Sequence, residues 1–221
     1  PKSSLDRSSA ASDVYKRQDA NGGWTVQQAL EVVETLSADG PLDYVEQPCR
    51  TVTELAEVRQ NLMRRGLFVR VAADEAIRKS ADPIAAVKEV TDAGACDVAV
   101  LKVPPLGGVD QLRTVAREVA QRGVSITVSS ALDTAVGLGA GLQAAASLAY
   151  VDDDGMLAEP NAAGLATGTL FECDLADRSI IDGRMHTGAV APEPDRLAEF
   201  RVTGERRDWW LERLGAAYRH L

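Results

Sequence analysis

Residues 71–75 (Val-Ala-Ala-Asp-Glu) and residues 98–108 (Val-Ala-Val-Leu-Lys-Val-Pro-Pro-Leu-Gly-Gly) decide the fold. Each is a short apolar run that ends at a charged residue and then breaks into a loop. This pattern is typical of a buried parallel strand that carries one reactive side chain at its carboxyl end. Residues 19–24 (Asp-Ala-Asn-Gly-Gly-Trp) and residues 42–48 (Leu-Asp-Tyr-Val-Glu-Gln-Pro) have the same form.

The reactive residues of these stretches recur at a regular interval of 27 or 28 residues, and a serine pair follows the last of them at the same distance. They are Asp19, Glu46, Asp74, Lys102 and the pair Ser129 and Ser130. One strand, one helix and two loops together have about this length. Such repeats predict an α/β fold of (β/α) units in a TIM-type barrel, with the site on its C-terminal face.

The number of repeats predicts an incomplete barrel. About five βα units can be counted, whereas a closed barrel has eight. We expect the C-terminal part of a barrel over residues 19–190, lacking the first strands, and a tail over residues 191–221. Residues 1–18 are polar and Ser-rich and have no sustained helix or strand period, so we expect a non-native or disordered leader there.

Local signals mark several helices. Residues 51–54 (Thr-Val-Thr-Glu) form a capping-box pattern, and Asp82-Pro83 is typical of an N-cap followed by proline at the first helical position. A helix is predicted at residues 208–218 in the tail. We expect its apolar side chains to pack on the barrel rather than to form a dimer contact; they are Trp209, Trp210, Leu211 and Leu214.

Composition excludes some functions and favours others. The formal charge of −9 argues against a nucleic-acid partner. No apolar run reaches the length of a membrane span, and no signal peptide is recognisable, so we expect a cytoplasmic protein of undetermined oligomeric state. Cys49, Cys96 and Cys173 suit neither a disulfide framework nor a zinc site, and we expect buried thiols. Residues 152–154 (Asp-Asp-Asp) are interpreted as a solvated loop.

The acidic strand ends predict a metal site. Asp19, Glu46 and Asp74 would meet at the barrel mouth, where mutual repulsion would protonate one of them unless a cation were present. Oxygen ligands select a hard divalent ion, and Mg²⁺ is our prediction. Lys102 would face the same centre, where an amine suits proton transfer or the stabilisation of negative charge.

The same motifs carry a resemblance to a known family. Asp19-Ala-Asn, Val45-Glu46-Gln-Pro, Ala73-Asp74-Glu75 and Leu101-Lys102, at these intervals, resemble the enolase superfamily. The wider match includes residues 102–108 (Lys-Val-Pro-Pro-Leu-Gly-Gly) and covers roughly residues 19 to 215. Within the superfamily it is most similar to the o-succinylbenzoate synthases of the actinobacterial type.

The resemblance implies a function for each reactive residue. Asp19, Glu46 and Asp74 would hold Mg²⁺, which binds the substrate carboxylate. Loss of the neighbouring proton would give a metal-stabilised enediolate, and hydroxide would leave to form the o-succinylbenzoate of menaquinone biosynthesis. Lys102 would stabilise the enediolate or accept the proton, and the substrate's succinyl part would contact the two hydroxyl-bearing residues Ser129 and Ser130.

One part of the family pattern is missing. The family's Lys-X-Lys pair on an earlier strand, which carries the principal acid/base lysine, has no counterpart here, and neither does the N-terminal capping domain. Lys16-Arg17 lies too close to Asp19 to be that pair. We therefore expect the parent enzyme to be a synthase and this chain alone to be inactive.

Other functions stay open on the residues alone. An N-succinylamino acid racemase, a dipeptide epimerase or a cycloisomerase of the same superfamily would use the same ligands. A Schiff-base aldolase would use Lys102 as its nucleophile, since such lysines also lie at barrel strand ends. A catalytically inactive barrel is the remaining alternative.

Overall fold

The computed structural model describes residues 16–148, 150–151, 157–158 and 161–219 of the chain. Its central sheet has five strands whose spatial order follows the sequence: β1 (Lys16–Asp19), β2 (Leu42–Glu46), β3 (Arg70–Ala73), β4 (Val98–Lys102) and β5 (Ser125–Ser129). Neighbouring strands are parallel throughout. A closed barrel has eight such strands, so the described part of the chain forms an incomplete (β/α) barrel, as predicted.

Helices connect these strands and cover the outer face of the sheet. They are α1 (Val26–Ala38), α2 (Val52–Arg64), α3 (Glu75–Arg78), α4 (Pro83–Asp92), α5 (Val103–Leu106), α6 (Val109–Gln121) and α7 (Ala135–Ser147). Short elements follow: β6 (Tyr150–Val151), β7 (Leu157–Ala158), a 3₁₀ helix (Ala166–Leu170), β8 (Ile180–Ile181), β9 (Arg184–Met185), α8 (Pro194–Glu199) and α9 (Gly204–Tyr218).

Helix starts follow the local signals of the sequence. Thr51 accepts a hydrogen bond from the Glu54 N–H while the Glu54 side chain accepts one from the Thr51 N–H, so the predicted capping box is confirmed. Asp82 accepts from the Ala85 N–H at the start of α4, and Pro83 is the first helical residue, as predicted. These side chains satisfy N–H groups that have no partner within the helix.

The two faces of the sheet bury different sets of side chains. Alternate strand residues pack with the helices in the main core, among them Val45, Ala73 and Leu101. The intervening residues form a separate inner cluster, which contains Tyr44, Ala72, Val98 and Val100. Since side chains alternate along a strand, the strand-end residues Glu46, Asp74 and Lys102 lie on the inner face, two residues beyond members of this cluster.

Neighbouring strands are also staggered. Ala72 pairs with Glu46 on one side and with Val98 on the other. Asp74 therefore lies two residues beyond the level of Glu46, and Lys102 lies two residues beyond the level of Asp74. A stagger of this kind accompanies the strand tilt of a barrel. Because its side chain is long, Lys102 can still contact Asp74, which lies two residues lower at the end of the neighbouring strand.

Two predicted boundaries differ from the structure. The apolar run before Asp74 predicts a strand from Leu67 to Ala73, but β3 begins at Arg70, because the Leu67 N–H donates to the Leu62 carbonyl and closes the end of α2. Helix α9 begins at Gly204 and not at residue 208, because Thr203 already serves as its N-cap. Local patterns locate an element better than they locate its ends.

The predicted tail helix is present, but its predicted packing on the barrel was wrong. None of the described residues of α9 is buried, and its four apolar side chains are between 41 and 67% exposed; they are Trp209, Trp210, Leu211 and Leu214. The indole rings contact each other edge to face at 4.7 Å, and Arg206 lies 4.6 Å above the Trp209 ring. The tryptophans thus find partners within their own helix instead of on the barrel.

The cysteine prediction was correct in two of three cases. Cys49 and Cys96 are buried free thiols, whereas Cys173 is free and exposed. Burial raises the pKa of Cys49 to about 11 and that of Cys96 to about 12. These two thiols behave as small apolar core residues.

The predicted leader overlaps the first strand. The Lys16 N–H donates to the Pro41 carbonyl, and β1 includes residues 16–18. Residues 1–15 and 152–154 lie outside the described residues, so the leader and the acidic loop stay predictions. Across the parts of the chain that the structure describes, no helix combines the length and apolar character needed to cross a membrane.

Candidate active site

One amine and two carboxylates meet at the carboxyl ends of β2, β3 and β4. Lys102 Nζ lies 2.7 Å from Asp74 Oδ2 and 3.8 Å from Glu46 Oε1. The Asp74 side chain is fully buried, and the other two side chains are each 11% exposed. Because little water reaches this cluster, its charges interact more strongly than charges on a protein surface.

Arg78 supplies a second cation to Asp74. Its Nε donates to both carboxylate oxygens of Asp74, at 2.9 and 3.0 Å, and its Nη2 donates to Glu75 Oε1 at 2.6 Å. Arg78 follows Asp74 by four residues, so one turn of α3 places the guanidinium beside the carboxylate. The buried charge of Asp74 is therefore paired on two sides, which is how proteins tolerate such a charge.

Glu46 has a strongly perturbed carboxyl group. Burial and, next, the nearby carboxylate of Asp19 raise its pKa, the Lys102 ammonium only partly opposes them, and the resulting pKa is about 7. Asp74 adds a smaller repulsion. The cluster thus holds an excess of negative charge, which an additional cation would relieve.

Asp19 lies at the neighbouring strand end, where its carboxylate bonds to Asn21. It pairs with Glu46 in the β1–β2 ladder, and its side chain is exposed. One carboxylate oxygen accepts from the Asn21 N–H at 2.9 Å and the other from Asn21 Nδ2 at 2.8 Å. The structure therefore brings Glu46, Asp74 and Lys102 into contact, while Asp19 bonds to Asn21 and acts on Glu46 through charge repulsion.

The two candidate substrate-binding serines differ in what they face. Ser129 pairs with Lys102 in the β4–β5 ladder, so the two share the inner face. Ser130 is buried, and its hydroxyl exchanges hydrogen bonds with Asp133. The first N–H of α7, that of Ala135, donates to the Asp174 carboxylate. An internal carboxylate therefore already occupies the N-terminus of the helix that follows these serines.

The residue types fit a hard divalent cation, although the side-chain conformations do not form a complete set of ligands. Among the described residues no three His, Cys, Asp or Glu side chains are grouped to hold a metal ion; Asp19 bonds to Asn21, and Asp74 bonds to Lys102 and Arg78. The donors are all carboxylate oxygens, which suit Mg²⁺. Glu75 Oε2 is also buried without a hydrogen-bond partner among the described residues.

Two residues of this site were missed from the sequence. Arg78 could have been found, because an Asp–Arg pair four residues apart at a helix start is a recognisable spacing. Gln47 could not have been found by such a rule. Its side chain is wholly buried, and its Oε1 accepts from the Asp74 and Ala76 N–H groups across the loops. Contacts across loops depend on the fold.

Comparisons with known proteins identify the family of the chain. Residues 7–179 match the sequence model of the family described as "Enolase C-terminal domain-like". The o-succinylbenzoate synthase of Mycobacterium ulcerans (strain Agy99) is 50% identical over 203 residues, which are 91% of this chain and 56% of that protein. The chain thus spans little more than half the length of this relative.

Solved structures show the same fold at lower identity. The muconate lactonizing enzyme from Pseudomonas fluorescens, complexed with muconolactone, has a TM-score of 0.69 and 21% identity, over 85% of this chain and 48% of that one. The N-succinyl Arg/Lys racemase from Bacillus cereus ATCC 14579 has a TM-score of 0.68 and 19% identity, over 86% and 49%. At these identities the likeness is one of fold.

Proposed function

Because this chain belongs to the enolase C-terminal domain-like family, we propose that it acts in an o-succinylbenzoate synthase. The reaction is the Mg²⁺-dependent dehydration of 2-succinyl-6-hydroxy-2,4-cyclohexadiene-1-carboxylate to o-succinylbenzoate in menaquinone biosynthesis. The observation that carries the proposal is the buried contact of Lys102 with Asp74 and Glu46 at adjacent parallel strand ends. Relatives named as synthases are 47 to 50% identical to this chain over 203 residues.

Three carboxylates would hold the metal ion. They belong to Asp19, Glu46 and Asp74; the Asp19 carboxylate accepts two hydrogen bonds from Asn21 and keeps further lone pairs for a metal ion. When bound there, Mg²⁺ would orient the substrate carboxylate and stabilise negative charge that develops on it. The raised pKa of Glu46 supports a cation in this position, since a cation favours the ionised carboxylate.

Lys102 would act on the substrate from the inner face of the sheet. Its ammonium is already held by Asp74 at 2.7 Å, so its position is restricted before substrate arrives. A preorganised cation stabilises developing negative charge at little cost in reorganisation. Ser129, its neighbour on the same face, and Ser130 are the candidate contacts for the succinyl part of the substrate.

The proposal includes a small carboxylate substrate and a cytoplasmic location. The alternatives within the superfamily gain no particular support, because the similar solved structures are about 20% identical and show the fold alone. Lys102 as a Schiff-base nucleophile also lacks a supporting observation. Covalent trapping of a carbonyl substrate on Lys102 by borohydride would be the evidence for an aldolase.

Ligand binding by the purified chain tests the proposal. We expect o-succinylbenzoate to bind in the presence of Mg²⁺, and we expect EDTA or the substitution Asp74→Asn to weaken this binding at least tenfold in isothermal titration calorimetry. Asp97→Asn, at the opposite end of the sheet, is the matched control. Binding that neither EDTA nor Asp74→Asn affects would show that the metal site is wrongly assigned.

A turnover assay tests the expected inactivity of the chain alone. We expect the 221-residue chain alone to be inactive, so dehydration should not exceed that of a Lys102→Ala variant. Dehydration clearly above that control would show that the lysine pair is not required.

A further inference from the structure

Gln47 joins the three loops that carry the candidate metal ligands. We propose that it is a positioning residue, which fixes the strand ends of Asp19, Glu46 and Asp74 relative to one another and thereby sets the affinity of the site for a divalent cation. The inference rests on the proposed function, because it concerns the same metal site.

The backbone of Gln47 contacts the strands on both sides of β2. Its carbonyl accepts a hydrogen bond of 2.7 Å from the N–H of Gly22, in the loop that follows Asp19. Its own N–H donates to the carbonyl of Ala72 at 2.8 Å, two residues before Asp74. A single peptide segment thus connects the ends of β1, β2 and β3.

The side chain of Gln47 adds three hydrogen bonds in the same region. Its Oε1 accepts from the N–H groups of Asp74 and Ala76, at 3.1 and 3.2 Å, and its Nε2 donates to the carbonyl of Cys49 at 2.9 Å. The residue is 0% exposed. Because water cannot replace these partners, loss of the amide would leave buried backbone groups unsatisfied and free to shift.

The backbone conformation of Gln47 also points to a positioning role. Its φ of +36° lies in the left-handed region, which residues other than glycine, asparagine and aspartate rarely adopt. Strained conformations persist where the surrounding structure holds them, and they are concentrated at functional sites. Glycine would adopt this conformation without strain but would lack the amide that binds Asp74 and Ala76.

The opposite end of the sheet offers a matched comparison. Asp97 also connects two strands, through partly buried contacts: its Oδ2 accepts from the Val71 N–H at 3.0 Å, and its Oδ1 pairs with Arg59. It lies at the start of β4, whereas Lys102 lies at the end of that strand. A purely structural role for Gln47 would make its replacement resemble the replacement of Asp97.

The test compares manganese binding with stability. Mn²⁺ is the probe, because it suits the same oxygen ligands and free ion can be measured by electron paramagnetic resonance. Gln47→Met keeps the side-chain length and removes the amide; Asp97→Leu does the same for the carboxylate. We expect both variants to lower Tm, and only Gln47→Met to weaken Mn²⁺ binding, by roughly 10- to 100-fold.

A second variant covers the case in which Gln47→Met does not fold. Gln47→Gly relieves the left-handed strain and still removes the amide, so we expect a folded chain with the same loss of Mn²⁺ affinity. If Asp74→Asn abolishes Mn²⁺ binding while Gln47→Gly leaves it unchanged, the positioning role is overturned and the proposed function stands. If the unmodified chain does not bind Mn²⁺, the metal site itself is wrong and the inference fails with it.

Discussion

Side-chain burial differs between two regions of the molecule, the ends of β2, β3 and β4 and the helix α9. At the strand ends, charged groups are buried: Asp74 is 0% exposed and Glu46 is 8% exposed. On α9, apolar groups are exposed: Trp210 is 50% exposed and Leu214 is 67% exposed. Residue type alone would predict the reverse in both regions.

The difference shows what decides burial in this chain. The strand-end charges are buried because apolar strands and their helices surround them, and each charge has a partner. The α9 side chains are exposed although their pattern is amphipathic, because an apolar stripe is buried only where another element faces it. In this chain a charged side chain with a partner is therefore buried more completely than an apolar side chain that no other element faces.

The largest expected effect comes from removal of the Asp74 carboxylate. Asp74→Ala leaves Lys102 and Arg78 without their common partner, and breaking a buried pair in this way costs about 3 to 5 kcal/mol. We expect a loss near the lower end, because Arg78 is about a quarter exposed. Urea unfolding followed by circular dichroism measures it.

The control for this prediction is an ion pair that is exposed to solvent. Asp177 pairs with Arg196 but is 79% exposed, so we expect no measurable change in stability for Asp177→Ala. Equal effects of the two substitutions would contradict the contrast between the regions.

The second prediction concerns pH. The pKa of Glu46 is about 7 in the folded chain against 4.5 for an ordinary glutamate, so the folded state binds this proton more tightly. In EDTA, its contribution to the free energy of unfolding should be complete below pH 4.5 and should decline by about 3 kcal/mol as the pH rises to about 7. Comparison of unfolding curves for the parent and Glu46→Gln isolates this contribution. Parallel pH profiles would show that Glu46 is not perturbed.

The third prediction concerns the place where the C-terminal segment joins the sheet. Gly164 pairs with Ser129, and a Cβ atom at Gly164 would lie 2.7 Å from Ser129 Oγ. Gly164→Ala should therefore lower stability by about 1 to 3 kcal/mol through overpacking. The double variant with Ser129→Gly should recover part of this loss in thermal unfolding. Additive effects would show that the two residues are not in contact.

The smallest effect is expected on α9. Leu214→Ser should change the free energy of unfolding by less than about 0.5 kcal/mol, since the side chain is already in water. Leu55→Ala on α2 is the control, because Leu55 is 0% exposed and its truncation costs about 2 to 5 kcal/mol. A large effect of Leu214→Ser would show that α9 is covered in solution.

Much of the barrel could be predicted from local patterns. Apolar runs that end at Glu46, Asp74 and Lys102 identify the strands, and the even spacing of these residues identifies the repeating unit. The capping box at Thr51 and the N-cap at Asp82 locate helix starts. These signals are readable because each depends on residues within about one turn or one strand.

The candidate site was predicted less completely. The spacing predicted that Glu46, Asp74 and Lys102 share one end of the sheet, and they do. It did not predict that the Asp19 carboxylate bonds to Asn21 or that the Ser130 hydroxyl bonds to Asp133. A loop side chain often has several possible hydrogen-bond partners nearby. The backbone geometry determines which of them it bonds to, and the spacing of residues in the sequence does not show that geometry.

The sequence by itself determined the periodic (β/α) architecture and the residues that end each strand, because side-chain alternation and helix capping are local effects. Only the tertiary structure decided that Gln47 links the loops of three strands and that α9 leaves its tryptophans in solvent. Both outcomes depend on which surfaces meet after the strands are staggered and paired. That arrangement depends on contacts between residues far apart in the chain.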